Sequence, residues 1–132
     1  MSQENVEIVR REYLAFAARD WAALVDIWHP EIEYEVQLGA GTFHGLDQIT
    51  QFFDDYSQVY TDFRVEAEEI VELGDRVLVV ERHASRGLMG SGVPTWFHHT
   101  FARIITFKDG KIWRSEEYST RAEALEAVGL SE

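Results

Sequence analysis

The chain has 132 residues, 45% of them apolar and 13% aromatic, a balance that suits a packed core and excludes a disordered chain. Lys and Arg number 12 against 24 Asp and Glu, and the formal net charge of −12 opposes binding to nucleic acid or an anionic membrane. With no cysteine there is no disulfide, thiol nucleophile or thiolate metal site, and no segment approaches the ~20 apolar residues of a membrane span. The start, Met1-Ser2-Gln3-Glu4-Asn5, lacks the basic and apolar regions of a secretory signal. The expectation is a cytoplasmic protein with residues 1–132 in one domain.

Ser2 can cap a first helix, with Val6, Val9, Tyr13, Phe16 and Ala17 at three- and four-residue steps along one apolar stripe. Asp20 reads as the cap of a shorter helix that buries Trp21, Leu24, Val25 and Trp28 and is ended by Pro30. Residues 32–36 alternate strictly and predict a half-buried strand. Three glycines across residues 39–45 predict a loop. From residue 46 to about 60, Ile49, Phe52, Phe53, Tyr56 and Val59 define a third amphipathic helix.

A second strand follows, in which Phe63, Val65 and Ala67 alternate while Ile70, Val71 and Leu73 change phase, predicting a bulge near Glu68 and Glu69. Gly74-Asp75 turns into a third strand over residues 76–86, and a glycine-rich connection over 87–92 leads to a long fourth strand over 93–107. Fully extended, a strand of that length spans roughly 50 Å and must bend. Asp109-Gly110 is a strong hairpin signal into a fifth strand over residues 111–118. Thr120 with Glu123 forms a capping box for a last short helix closed by Gly129.

Helices and strands segregated in this way indicate an α+β fold: a curved antiparallel β-sheet wrapped around the amino-terminal helices, with a central pocket. The third and fourth strands are apolar at both parities, as in Val77-Leu78-Val79-Val80 and Ile104-Ile105. An antiparallel sheet with one wet face would alternate, so the outer face is expected to be covered in a homodimer.

The residues Tyr13-Leu14-Ala15-Phe16 with Asp20, His29-Pro30, Phe43-x-Gly45, Gly74-Asp75-x-Val77 and Ser91-Gly92-Val93 form a familiar pattern. Continued by Asp109-Gly110-Lys111-Ile112, Glu117-Tyr118 and residues 123–127, it resembles the SnoaL-like polyketide cyclase family of the nuclear transport factor 2-like superfamily, which includes ketosteroid isomerase. The resemblance implies a cone-shaped α+β barrel with an apolar cavity at one end, dimerisation through the outer sheet face, and no metal or organic cofactor. Its motifs are turn and packing residues, so they specify architecture rather than chemistry.

On the fourth strand Phe97, His99, Phe101, Arg103 and Ile105 share one face. Alignment with ketosteroid isomerase through the Asp109-Gly110 hairpin puts Arg103 at the oxyanion-stabilising acid and Val36 at the catalytic base, so isomerisation by that route is not expected. The same alignment sends Tyr34, Val36, Trp113, Ser115 and Glu117 inward and approximately matches Tyr13 to the isomerase tyrosine. Catalytic candidates are therefore Tyr13, His99, Arg103 and Glu117, with Arg103 and Glu117 offsetting each other's desolvation and a neutral His99 accepting protons. Ligand contacts are expected from Trp28, Tyr34, Val36, Phe53, Phe101, Trp113 and Ser115. His29 reads as a helix-end cap, His44 as an exposed loop residue and His98 as outward-facing, while the side of His83 stays open. No metal site is expected, because His98 and His99 point to opposite faces and Glu66, Glu68, Glu69 and Glu72 suit a solvated strand edge.

Two readings follow from these residues. The first is a cofactor-independent isomerase, cyclase or hydrolase doing acid–base chemistry on a hydrophobic metabolite. The second is a non-catalytic module binding a hydrophobic carboxylate or phenol, with Arg103 as its anchor. A structural partner-binding role ranks behind both.

Overall fold

The computed structural model describes residues 2–36, 41–88 and 94–130. In chain order the elements are α1 (Ser2–Ala18), α2 (Trp21–Ile27), β1 (Trp28–Val36), β2 (Gly41–His44), α3 (Gly45–Val59), β3 (Tyr60–Glu72), β4 (Arg76–Leu88), β5 (Pro94–Lys108), β6 (Lys111–Tyr118) and α4 (Arg121–Ala127). No helix among the described residues is long and apolar enough to cross a membrane.

Local chemistry sets the element ends. The Asp20 carboxylate accepts from the Ala23 amide at 3.1 Å, and the Thr120 hydroxyl accepts from the Glu123 amide at 3.1 Å, so the caps expected at these two residues form, while Ser2 is the first residue of α1 itself. Asp109 and Gly110 both take left-handed backbone, φ 55° and 75°, as a two-residue turn between twisted strands requires. In β3 the register with β4 slips between Ala67 and Glu69, where the apolar pattern changes phase.

Six strands form one curved, unclosed sheet in the order β2-β1-β6-β5-β4-β3. The expectation of an antiparallel sheet is corrected at one rung: β1 pairs with β6 in parallel. No short turn joins these two strands, so nothing local fixes their relative direction; the path through α3 and the meander does. Residues 41–44, expected within a loop, form edge strand β2 against residues 33–36, because β1 supplies the hydrogen bonds that a glycine-rich segment would otherwise take from water. Residues 37–40, the rest of that expected loop, lie outside the described residues, as do 89–93 of the glycine-rich connection. Pro30 does not end a helix; it lies inside β1, where pairing to β6 is interrupted between Trp28 and Glu33.

Helices α1, α2 and α3 pack Val9, Phe16, Leu24 and Ile49 against the inner sheet residues Ile32, Val77, Val79, Ile105 and Ile112. The even-numbered outer residues Leu78, Ala102 and Ile104 pack with Ala124 and Leu125 of α4. The chain's own last helix therefore accounts for part of the two-sided apolar pattern attributed above to a second subunit. Acidic strand β3 is a sheet edge, with Glu69 meeting Arg121 at 2.8 Å and Glu68 meeting Arg82 at 3.7 Å.

Candidate active site

Odd-numbered residues of β4 and β5 face the helices, which brings Arg103 under α1. Arg103 and Glu12 are both 0% exposed, and the Arg103 Nη1 and Nη2 groups donate to the two Glu12 oxygens at 2.9 and 3.3 Å. Trp28 Nε1 donates to the same carboxylate at 2.9 Å, and Arg103 Nε donates to Ser115 Oγ at 2.9 Å. Arg103 Nη1 also donates to the Tyr13 hydroxyl at 2.8 Å, and the rings of Tyr34 and Tyr13 lie 5.2 and 5.6 Å from the guanidinium carbon. Burial works against the cation, but Glu12, Tyr13, Tyr34 and Glu81 together outweigh it and hold Arg103 well above its ordinary pKa.

The chain of polar contacts continues along β4. Tyr13 donates to Glu81 Oε1 at 2.6 Å, with Arg103 Nη1 3.7 Å from the same oxygen. Glu81 Oε2 lies 3.6 Å from His83 Nδ1, and His83 Nε2 lies 2.7 Å from the Tyr56 hydroxyl of α3. His83 stacks on His99 at 4.8 Å with the rings 14° apart, and His99 stacks on Phe101 at 5.8 Å. Exposure rises along this path, from none at Arg103 to 14% of the His83 side chain and a half-buried His99. Burial, then the neighbouring His83, lower the pKa of His99, with Glu81 opposing, so the imidazole is neutral near pH 7. Burial pushes the Tyr13 and Tyr34 phenols well above their ordinary range despite the opposing field of Arg103.

Residues 9–115 match the family model of the SnoaL-like domain. The chain belongs to that family. No curated protein matches it. Among solved structures it is similar to TerC co-crystallised with polyporic acid, at 27% identity over 93% of this chain and 96% of TerC, with a TM-score of 0.73. A hypothetical protein with a ketosteroid isomerase-like fold from Catenulispora acidiphila, in complex with trimethylamine, aligns over 94% of this chain and 93% of its own at 21% identity and TM-score 0.72. An LEH-like epoxide hydrolase from M. tuberculosis aligns over 89% of this chain and 83% of its own at 18% identity and TM-score 0.73. The last two likenesses are of fold.

Within this SnoaL-like domain the expected residues fare unequally. Tyr13, Arg103, Ser115, Trp28 and Tyr34 converge at the buried end. Phe53 packs on Trp28 and Tyr34 at 5.8 and 5.7 Å, and Val36 packs half-buried against the same core. Glu117 is buried opposite Arg103 on β6, but the carboxylates that the guanidinium meets are Glu12 at 2.9 Å and Glu81 at 3.7 Å, which corrects the expected Arg103–Glu117 pair. The rung register sets these two side by side, whereas the fork of the guanidinium reaches across to α1. Trp113 is also corrected. The β5–β6 register skips it, Ile112 takes the inward place, and Trp113 lies between the Lys108 and Arg114 cations at 5.1 and 4.4 Å.

Outside this cluster, His29 bonds its Nδ1 to the Glu31 amide at 2.9 Å and places Nε2 3.3 Å from Asp109, rather than capping a helix. His44 is exposed, as expected, but ends strand β2 rather than lying in a loop, and His98 is exposed. Sequence reasoning missed Glu12, Glu81 and the inward side of His83. Each carried a signal: Glu12 interrupts the α1 stripe between Val9 and Phe16, and the odd phase of Val77 and Val79 continues to Glu81 and His83.

Proposed function

We propose that this SnoaL-like domain is a cofactor-independent enzyme performing acid–base chemistry on a small hydrophobic metabolite, as an isomerase, cyclase or hydrolase. One observation carries the reading. A row of polar side chains leads from fully buried Arg103 through Tyr13 and Glu81, by hydrogen bonds, to half-buried His83 at 3.6 Å and to His99 stacked on it, among aromatic side chains. A core built for stability alone gains little from such a row, because buried ion pairs seldom outperform well-packed apolar residues. His99, held neutral, is the proposed proton acceptor. Glu12, Arg103, Tyr13 and Glu117 are proposed to fix the field and position of Glu81 rather than to touch ligand. Phe53, Phe101, Tyr34 and Val36 are the proposed apolar contacts. The small molecules in the TerC and Catenulispora structures support a small-molecule ligand.

The binding-module reading, with Arg103 as anion anchor, is weakened because Arg103 is fully buried and already bonded to Glu12, Tyr13 and Ser115. The proposal also includes a homodimer through the uncovered part of the outer sheet face, and a cytoplasmic location suited to a cysteine-free chain. Two probes test the enzymatic reading: deuterium exchange at the acidic carbon of 2-tetralone, followed by NMR, and hydrolysis of styrene oxide. At least one is expected to run well above buffer and to fall about 100-fold in His99→Ala, the usual scale of general acid–base help. Neither reaction exceeding buffer would overturn the proposal.

A further inference from the structure

Tyr56, His83 and Glu81 stand in an order that the sequence does not announce, and the reading above gives Tyr56 no part in it. Tyr56 comes from α3, while His83 and Glu81 are two residues apart on β4 and so share its inner face. The Tyr56 hydroxyl is 2.7 Å from His83 Nε2, and His83 Nδ1 is 3.6 Å from Glu81 Oε2. Glu81 is itself fixed from behind: Tyr13 donates to its other oxygen at 2.6 Å, with Arg103 3.7 Å from that oxygen.

This arrangement selects a tautomer. At 3.6 Å the Glu81 carboxylate is too far from Nδ1 for a hydrogen bond, but its charge favours a hydrogen on Nδ1 over a lone pair there. With the hydrogen on Nδ1, Nε2 is left as an acceptor and the Tyr56 hydroxyl becomes the donor. Hydroxyl, imidazole and carboxylate then stand in the relation of a hydroxyl, its base and the acid that orients the base.

We infer that Tyr56 is the ligand-facing member of a proton relay through His83 to Glu81, serving an enolisable ring ketone or a phenol. The inference rests on the enzymatic reading above and adds to it a second proton acceptor beside His99. In the forward step the Tyr56 oxygen takes a proton from the ligand's acidic C–H or O–H as the Tyr56 proton passes to His83 Nε2. The ligand keeps the electron pair as an enolate or phenolate, and His83 becomes an imidazolium beside Glu81. The reverse step returns both protons, so one relay both removes a proton and delivers it at a second position, as isomerisation demands. The rings of His83, His99 and Phe101, stacked in a row with Tyr56 edge-on to His83, give the relay an aromatic surround that suits a ligand carrying a ring.

Two measurements on the full chain test the relay. Long-range proton–nitrogen NMR, with His83 assigned by its loss in His83→Gln, is expected to show a neutral ring protonated at Nδ1. Protonation at Nε2 in the neutral ring would overturn the relay whether or not any variant folds. In the 2-tetralone exchange assay, Tyr56→Phe and His83→Gln are each expected to lose about 100-fold while keeping wild-type circular dichroism. Wild-type exchange with full activity in folded Tyr56→Phe sinks the relay and leaves the enzymatic reading standing. No exchange by the wild type, together with no styrene oxide hydrolysis, sinks the enzymatic reading and the relay's catalytic role with it.

Discussion

Replacing Glu12 with Gln tests the electrostatic logic of the buried end. The substitution keeps the shape and an oxygen to accept from Trp28 Nε1, now 2.9 Å away, but removes the charge that meets Arg103 at 2.9 and 3.3 Å. Breaking one side of a buried ion pair costs about 3–5 kcal/mol, because the remaining charge is left without compensation. Glu81, 3.7 Å from Arg103 Nη1, takes over part of the partnership, which places the expected loss near the lower end, at about 3 kcal/mol. For a domain of this size that corresponds to a melting temperature lower by roughly 10–15 °C. Urea denaturation followed by tryptophan fluorescence measures the loss directly, with Trp28 reporting from the site itself. The double variant Glu12→Leu with Arg103→Met removes both charges and is expected to cost less than Glu12→Gln alone. A Glu12→Gln loss below about 1 kcal/mol, or a double variant worse than the sum of its singles, would refute a compensated buried pair.

Two further outcomes are expected. The folded-state pKa of His99 lies below its unfolded value, so the folded protein binds less proton there; its contribution to stability is present above the ordinary imidazole value of about 6.5 and is lost as pH falls through the lowered folded value. Denaturant midpoints across that range should therefore fall with acidification less steeply in His99→Gln, and an unchanged slope would contradict the assignment. Sedimentation velocity is expected to give a dimer; a monomer at the highest soluble concentration would remove the outer-face interface.

Much of the architecture was legible because it is set by near neighbours. The Asp109-Gly110 turn, the Thr120 cap and the slip near Glu68 each depend on residues a few positions apart, and each appears where the pattern places it. The inward parity of Arg103 was also legible, through the resemblance to ketosteroid isomerase aligned at that hairpin. Trp113 shows the limit of phase counting: one skipped rung in β6 exchanges the inward place with Ile112, and alternation alone does not reveal the skip. Residues 41–44 became a strand because a partner edge was available, not through their own propensity.

By itself, then, the sequence determined the helices and most strand limits, since periodicity and turn chemistry act over one to four residues, whereas the inward face of the long strand was implied by the family resemblance. The tertiary structure alone decided that Arg103 meets Glu12, 91 residues away, and that Tyr56 meets His83 across α3 and β4. The physical reason is that a guanidinium or an imidazole bonds whichever group the packing of a helix against a sheet brings within about 3 Å, and that approach depends on the whole path of the chain.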